Sequence, residues 1–389
     1  MPAAKQPGAW AFATLFAIES VSRASIASII PIQAYDLLKD EQTVSVLYFS
    51  VGILGLTATL CAPVVYRRIP RRFVYTAGGL LLVAACIAFA THTLAGQAVG
   101  LFLRTFASST LAITLNLYIM EFIPKHGMVR SESLRLTLAT LAWTLGPSIG
   151  VWLYVRHGTI APFVWSGAWA LIVIATFWWM RLSGTRAVAP GVLRPINPIA
   201  NIRRFVSQPR LRLAWLIAFG RSSYWMTFYI YAPILMVATG EGKLAGGLIV
   251  SLGNALLLFA IAWGRLGSRI GVRGVVVLSF ASMAVLSIAA GMAGEAHPWT
   301  TAVLLLCGVN FAVALDAVGN VPFLRAVHTY ERPEMTAVHR TNLDLSELAP
   351  AFVYSIILGF FGIGAVFVAL GIFCIFCAVV SWRHLPRSM

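Results

Sequence analysis

The chain has 389 residues, of which 59% are hydrophobic and only 11% charged, with a formal charge of +16 and a mean hydropathy of +0.83. About a quarter of a soluble globular domain is Asp, Glu, Lys and Arg, so this composition excludes one and places the chain in a bilayer. The basic balance is no sign of a nucleic-acid partner, because membrane proteins collect Lys and Arg in cytoplasmic loops.

From Met1 to Ala9 there is one cation, Lys5, and no cleavable leader pattern, so the apolar run starting at Trp10 is expected to be retained. Apolar runs of roughly 18–25 residues, each able to cross about 30 Å of hydrocarbon as a helix, recur to the C-terminus. They predict twelve spans: 10–35, 44–65, 73–94, 97–122, 132–155 and 160–181, then 211–238, 244–263, 274–294, 299–323, 343–361 and 364–382. The expected fold class is all-α and polytopic, with two six-helix bundles at 1–181 and 211–389 joined by a cytoplasmic linker at 182–210. Features recur about 200 positions apart. Arg68 matches Arg269, Asn116 and Lys125 match Asp316 and Arg325, and Glu19 to Pro31 matches Arg221 to Pro233, so the halves read as a pseudo-symmetric duplication.

This threading divides the cations unevenly. Arg67, Arg68, Arg71 and Arg72, Lys125, Arg130 and Arg135, the Arg-rich linker, and Arg265, Arg269 and Arg273 all fall on one side. The opposite loops hold only Lys39, Arg156 and Lys243, beside the acids Asp36, Asp40, Glu41, Glu241 and Glu295. Both termini are therefore expected in the cytoplasm, in a plasma (inner) membrane of bacterial type. In the linker, Ile196, Ile199, Ile202 and Phe205 recur at three-residue spacing beside Arg203 and Arg204. The spacing predicts a short helix on the membrane surface; Pro198 argues for irregular chain instead.

A charge at the bilayer centre costs about 2.5–3.5 kcal/mol, so each one inside a span is a candidate for function. Glu19 and Arg23 share a face of the first span, Arg104 is in the fourth, Arg221 in the seventh, Asp316 in the tenth, and Glu347 a turn into the eleventh. Glu19 with Arg23 reads either as a local ion pair that allows insertion or as part of a solute or proton site. Tyr224 and Trp225 follow Arg221 by one turn and suit stacking or hydrogen bonding to a solute. In the fifth span Gly146, Pro147 and Gly150 permit close helix approach and remove one backbone donor, which suits either a hinge or plain packing. Cys61, Cys86, Cys307, Cys374 and Cys377 all lie in apolar runs and read as small core residues. No nucleotide-binding loop, metal-ligand spacing or catalytic constellation is present in the sequence, so neither an enzyme nor a cofactor is expected.

The stretch Gly264-Arg-Leu-Gly-Ser-Arg-Ile-Gly-Val-Arg273, with its echo Arg67-Arg68-Ile69-Pro70-Arg71-Arg72, resembles the signature loop between the second and third helices of each half in the major facilitator superfamily of secondary transporters. Two further motifs point the same way. Arg104-x-x-Ala107-Ser-Ser resembles the superfamily's fourth-helix arginine motif of proton coupling, and Leu145-Gly146-Pro147-Ser148-Ile149-Gly150 resembles its antiporter motif. The resemblance covers nearly the whole chain. It implies alternating access around a central cavity lined by the first, fourth, seventh and tenth helices, where Glu19, Arg23, Arg104, Arg221 and Asp316 would meet a small-molecule substrate and protons. It also implies that the chain works as a monomer in the lipid bilayer. In the family the loop's acid faces the start of the eleventh helix across the two halves. Here Arg67 replaces that acid and the facing segment is acidic, so Arg67 or Arg68 is expected to pair with Asp344, in the first turn of that helix, or with Glu347; Arg269 with Glu132 would be the mirror contact. Alternatively Asp344 caps the helix and the arginines are topology signals. The function expected is proton-coupled export of a small organic solute. An uptake or facilitative carrier for a metabolite and a non-transporting assembly or lipid-handling member of the fold remain the alternatives.

Overall fold

A computed structural model describes residues 8–66, 69–123, 128–180, 198–327 and 332–386. Those residues form helices and short connections. In order they are α1 Ala9–Ser25, α2 Ile29–Leu38, α3 Glu41–Tyr66, α4 Arg71–Ala90, α5 Leu94–Phe122, α6 Met128–Arg156, α7 Ala161–Trp179, α8 Pro198–Ser207, α9 Pro209–Ala238, α10 Lys243–Ala255, α11 Ala260–Ala293, α12 Pro298–Val318, α13 Val321–Ala326, α14 Arg332–Ile357 and α15 Gly364–His384. Each of the twelve expected spans has a helical counterpart. Among the described residues, eight stretches are long and apolar enough to cross a membrane by length and composition. One of them, Lys243–Ala293, fuses two expected spans. Of the three expected spans outside these stretches, arginines within α9 and the polar first half of α14 dilute two, and the side chains of the last turns of α3 lie outside the described residues.

The helices depart from the expected runs in four places. The first span breaks at Ile26–Ser28 into α1 and α2, and the tenth breaks after Val318, with α13 following as a short separate helix. The basic Gly264–Arg273 stretch, expected as a loop, stays helical through Arg265 and Ile270, and the chain turns only at Gly271, whose φ of 79° is open to glycine. Its arginines tolerate helix well, and the break falls on a glycine, the residue type that takes left-handed backbone without strain, while Gly264 and Gly267 stay helical. The eleventh span begins at Arg332, well before the expected 343. Hydropathy misses Arg332–Asn342 because those turns are polar, yet they are helical: the one proline, Pro333, sits in the first turn, where its missing N–H costs nothing. Asp344 is consequently three turns inside α14, neither in its first turn nor its cap.

Contacts divide the chain into two compact units, Met1–Lys39 with Ser50–Val192 and Asp40–Phe49 with Leu193–Met389. In the first, α4, α5 and α7 close around Tyr75, Leu111, Tyr118 and Phe177, with the Tyr75 and Phe177 rings stacked at 4.5 Å. Gly146 and Gly150 bring α6 onto α1. A Cβ at Gly146 would stand 2.6 Å from the Ala24 Cβ, and one at Gly150 would overlap the Ser25 carbonyl oxygen. In the second unit, α11 packs on α12 and α15. The start of α3 belongs to this unit, with the Ser45 hydroxyl 2.6 Å from that of Tyr231. Large apolar side chains such as Ile87, Val164, Ile261 and Met292 face outward, as they must where the surrounding solvent is lipid.

α8 spans Pro198–Ser207 and belongs to the second unit. Pro198 does not interrupt it, because it occupies the first helical position, where its missing N–H costs nothing. Phe205 is buried against Leu211, Ala214, Phe323 and Val327, while Ile202, Arg203, Arg204 and Val206 are exposed. Ile196 falls outside the described residues.

Candidate functional site

Among the described residues, each unit carries one ion pair within its long helices, and the two pairs are built differently. In the first unit Glu19 and Arg23 are one turn apart on α1, so an unbroken helix alone brings them together. The Arg23 guanidinium donates to Glu19 Oε1 at 3.0 Å. Glu19 is fully buried, and its second oxygen has no hydrogen-bond partner among the described residues. Two further groups sit around this carboxylate. Arg135 of α6 and Tyr75 of α4 lie within electrostatic reach of it. Arg135 donates to Asn116 Oδ1 of α5 at 2.9 Å and lies over the Phe16 ring of α1 at 4.7 Å. Arg23 lies 6.0 Å from the Trp143 ring of α6. The half-site is thus one carboxylate and two guanidiniums among aromatic faces, a mixture that can hold an anionic or amphipathic solute.

In the second unit the pair spans two helices. Arg221 of α9 meets Asp316 Oδ1 of α12 at 3.0 Å, and the Trp225 indole, one turn on, donates to Asp316 Oδ2 at 2.9 Å. Both Asp316 oxygens are therefore engaged. The side chains keep 16% and 27% exposure, so the pair faces open space rather than packed core. Trp225 stacks on Tyr229 at 5.4 Å, and the Tyr229 hydroxyl donates to Asn254 of α10 at 2.6 Å. From Arg221 a chain of bonds runs through the Ser222 hydroxyl at 3.3 Å to Asn342 Oδ1 of α14, again at 3.3 Å. This chain fixes the α9 face relative to α14.

The other expected site residues are placed as follows. Tyr224 turns away from the pair: it is fully buried, donates to the Leu305 carbonyl at 3.2 Å, and its ring fills the space that Gly308 leaves on α12. Arg104 is half-buried in α5, with Cys86 of α4 within electrostatic reach. Cys86 and the hydroxyls of Ser22 and Ser166 form a bonded knot joining α1, α4 and α7. Cys374 and Cys377 are also buried, whereas Cys307 is exposed rather than core. Arg67, Arg68 and the Glu132 side chain, three members of the expected cross-half contacts, lie outside the described residues. Arg269 and Glu347 are exposed on their helices, and Asp344 has Arg340 one turn before it within electrostatic reach. Gly146, Pro147 and Gly150 sit where α6 meets α1, with Pro147 inside the helix.

Two participants go beyond the sequence reading. Arg135 counts there only among the cytoplasmic cations that set topology, although it falls at the start of the expected span 132–155. Asn116 is noted only as the repeat partner of Asp316, and in that role it could have been found: both accept from an arginine of their own unit.

A family model described as Major Facilitator Superfamily matches residues 12–346. The chain belongs to the major facilitator superfamily. Solved structures agree on the fold. The nucleoside transporter NupG superposes with a TM-score of 0.77 at 13% identity, covering 97% of this chain and 100% of that one. A POT-family transporter in complex with a thioalcohol-conjugated peptide gives 0.78 at 12% identity, covering 96% and 94%. The peptide transporter POT in complex with sulfate gives 0.75 at 13% identity, covering 98% and 94%. A search of curated protein sequences gives no match. This superfamily member is thus an all-α integral membrane protein of the fold that these transporters share.

Proposed function

We propose that the protein is a proton-coupled secondary transporter that exports a small organic solute by alternating access, from a bacterial inner membrane with both termini in the cytoplasm. The observation that carries this reading is Glu19, a wholly buried carboxylate with one oxygen held by Arg23 and the other without a partner. A non-transporting scaffold needs no such group, because a charge at this depth is costly unless something compensates it. In a carrier it has a use. A solute donor or cationic group that occupies the free Glu19 oxygen expels the carboxyl proton, and a proton taken up from the other side neutralises Glu19 and releases the solute, so the two cross in opposite directions. Asp316 with Arg221 and Trp225 supplies the second exchangeable pair. Guanidiniums beside Phe16, Trp143, Trp225 and Tyr229 favour a solute with both an anionic group and a flat or apolar part.

Export rests on the resemblance of Leu145 to Gly150 to the antiporter motif, and the topology on the cation distribution. Pro147 loosens α6 where the two glycines keep it seated on α1, so we read this point as the hinge of the first unit. The test is metabolite profiling of cells with and without the protein, followed by counterflow in proteoliposomes for each solute that changes. Accumulation in cells lacking the protein together with saturable counterflow is the expected result. No solute change and no counterflow would favour an assembly or lipid-handling role instead.

A further inference from the structure

At one end of the second unit, the start of α9, the helix α13 and the end of α15 surround a cavity of about 580 Å³. Arg210 and Arg212 of α9, Arg325 of α13 and His384 of α15 line it, and among its lining residues there is no acidic side chain. Its walls are Leu213, Leu216, Val380 and Leu385. Among the described residues, the three guanidiniums have no hydrogen bond or ion pair. The volume lies within the range of small-molecule sites, and the arrangement is amphipathic, with cations at the mouth and aliphatic side chains behind them.

The surroundings point to the kind of ligand. α8 is held at this same end by Phe205, which packs on Leu211 and Phe323, and it exposes Ile202 and Val206 beside Arg203 and Arg204. Trp382 on α15, between the cavity residues Val380 and His384 in sequence, is exposed, with Arg273 over its ring at 4.9 Å. An aromatic ring, outward aliphatic side chains and a band of arginines at one depth mark the boundary between hydrocarbon and headgroups. A soluble anion would use the guanidiniums but leave the leucines and Val380 in water. A phospholipid uses both, its phosphate among the arginines and its glycerol and upper acyl chains along Leu213, Leu216 and Val380.

We propose that this cavity binds the phosphate headgroup of an anionic phospholipid from the membrane leaflet on the linker side. Basic pockets between membrane helices on the cytoplasmic side hold such headgroups, and Arg pairs with phosphate oxygens in a bidentate fork that Lys cannot reproduce. The bound lipid joins α9, α13 and α15, so it braces the second unit at the end where α9 leaves the linker.

The experiment is native mass spectrometry of the purified full chain, titrated with phosphatidylglycerol, phosphatidylcholine or soluble glycerol phosphate. Phosphatidylglycerol should be retained at least about tenfold more tightly than phosphatidylcholine, and glycerol phosphate should not compete at equal concentration. Each of Arg210→Gln, Arg212→Gln and Arg325→Gln should weaken retention about fivefold, and the triple variant on the order of 100-fold. Arg265→Gln with Arg269→Gln, which removes two exposed cations of α11, should leave retention unchanged. Equal retention of phosphatidylcholine would reduce the site to an apolar groove, and full competition by glycerol phosphate would make it a site for a soluble anion; either overturns the proposal. So does a triple variant that holds phosphatidylglycerol like the wild type. If the triple variant does not fold, the three titrations of the wild type and the single Arg325→Gln still decide.

Discussion

Replacing Asp316 by Asn tests whether the Arg221 pair acts as a unit. The Asp316→Asn side chain keeps an oxygen for the Trp225 indole but loses the charge that faces the Arg221 guanidinium 3.0 Å away. Breaking a fully buried pair costs about 3–5 kcal/mol, whereas a solvated pair is worth about 0–1. With exposures of 16% and 27% this pair lies between those limits, so Asp316→Asn should cost about 1–3 kcal/mol. In a unit of this size that lowers the apparent melting temperature in detergent by about 2–10 °C. Arg221→Gln alone should cost a similar amount, since it strands the carboxylate. The double variant removes both charges and should recover at least about 1 kcal/mol of the summed loss. The measurement is thermal unfolding of all four proteins in one detergent at one ionic strength. Strict additivity, with a coupling below about 0.5 kcal/mol, would show that the two charges are neutralised by other groups and would refute the exchange mechanism in the second unit.

Gly150→Ala should destabilise the first unit by about 1–3 kcal/mol because its Cβ overlaps the Ser25 carbonyl, whereas Gly264→Ala, with nothing within 4 Å of the added methyl, should be neutral; melting curves compare the two. Asp40 caps α3 by accepting from the Thr43 backbone N–H at 2.8 Å and from its hydroxyl, so Asp40→Ala should cost about 1 kcal/mol at pH 7. The Thr43 hydroxyl holds the Asp40 carboxyl below its ordinary value of 3.8, so the stabilisation is present above that pH and disappears as pH falls through the lower folded value; the melting difference between wild type and variant should vanish in that range. Phe205→Ala should free α8 from Leu211 and Phe323, read as faster tryptic cleavage at Arg203 and Arg204 with the rest of the chain intact. Arg135→Gln should weaken solute counterflow at least about tenfold without changing expression, since Arg135 serves the Glu19 half-site rather than topology.

Much of this architecture is legible in the sequence because lipid leaves the backbone no choice but helix. Apolar length locates the spans, and the i, i+4 spacing of Glu19 and Arg23 foretells their ion pair. The failures have one physical origin: hydropathy reads side-chain polarity, not helix continuity. It begins the eleventh helix at 343 although the polar turns from Arg332 are already helical, and the cation tally takes Arg135 as a topology signal although it lies inside the expected span 132–155 and inside α6. Gly264–Arg273 reads as a loop for the same reason, while the break waits for Gly271. The Arg221 and Asp316 pair joins helices nearly a hundred positions apart, so spacing could nominate its members but not their contact. Tyr224 and Trp225 show the converse limit. They are adjacent in sequence, yet a helix turns neighbours about 100° apart, sending one into the Leu305 contact and the other to Asp316.

The central claim is that Glu19 and Asp316 exchange protons with the solute's passage, and solute-driven proton flux in proteoliposomes measures it most directly. Vesicles containing a trapped pH indicator and the wild-type protein are given a gradient of the transported solute with no imposed pH difference. The account predicts a pH change that follows the solute gradient, and its loss in Glu19→Gln with Asp316→Asn while solute exchange without a gradient persists. Solute flux with no pH change in the wild type, or an unchanged proton signal in the double variant, would contradict it.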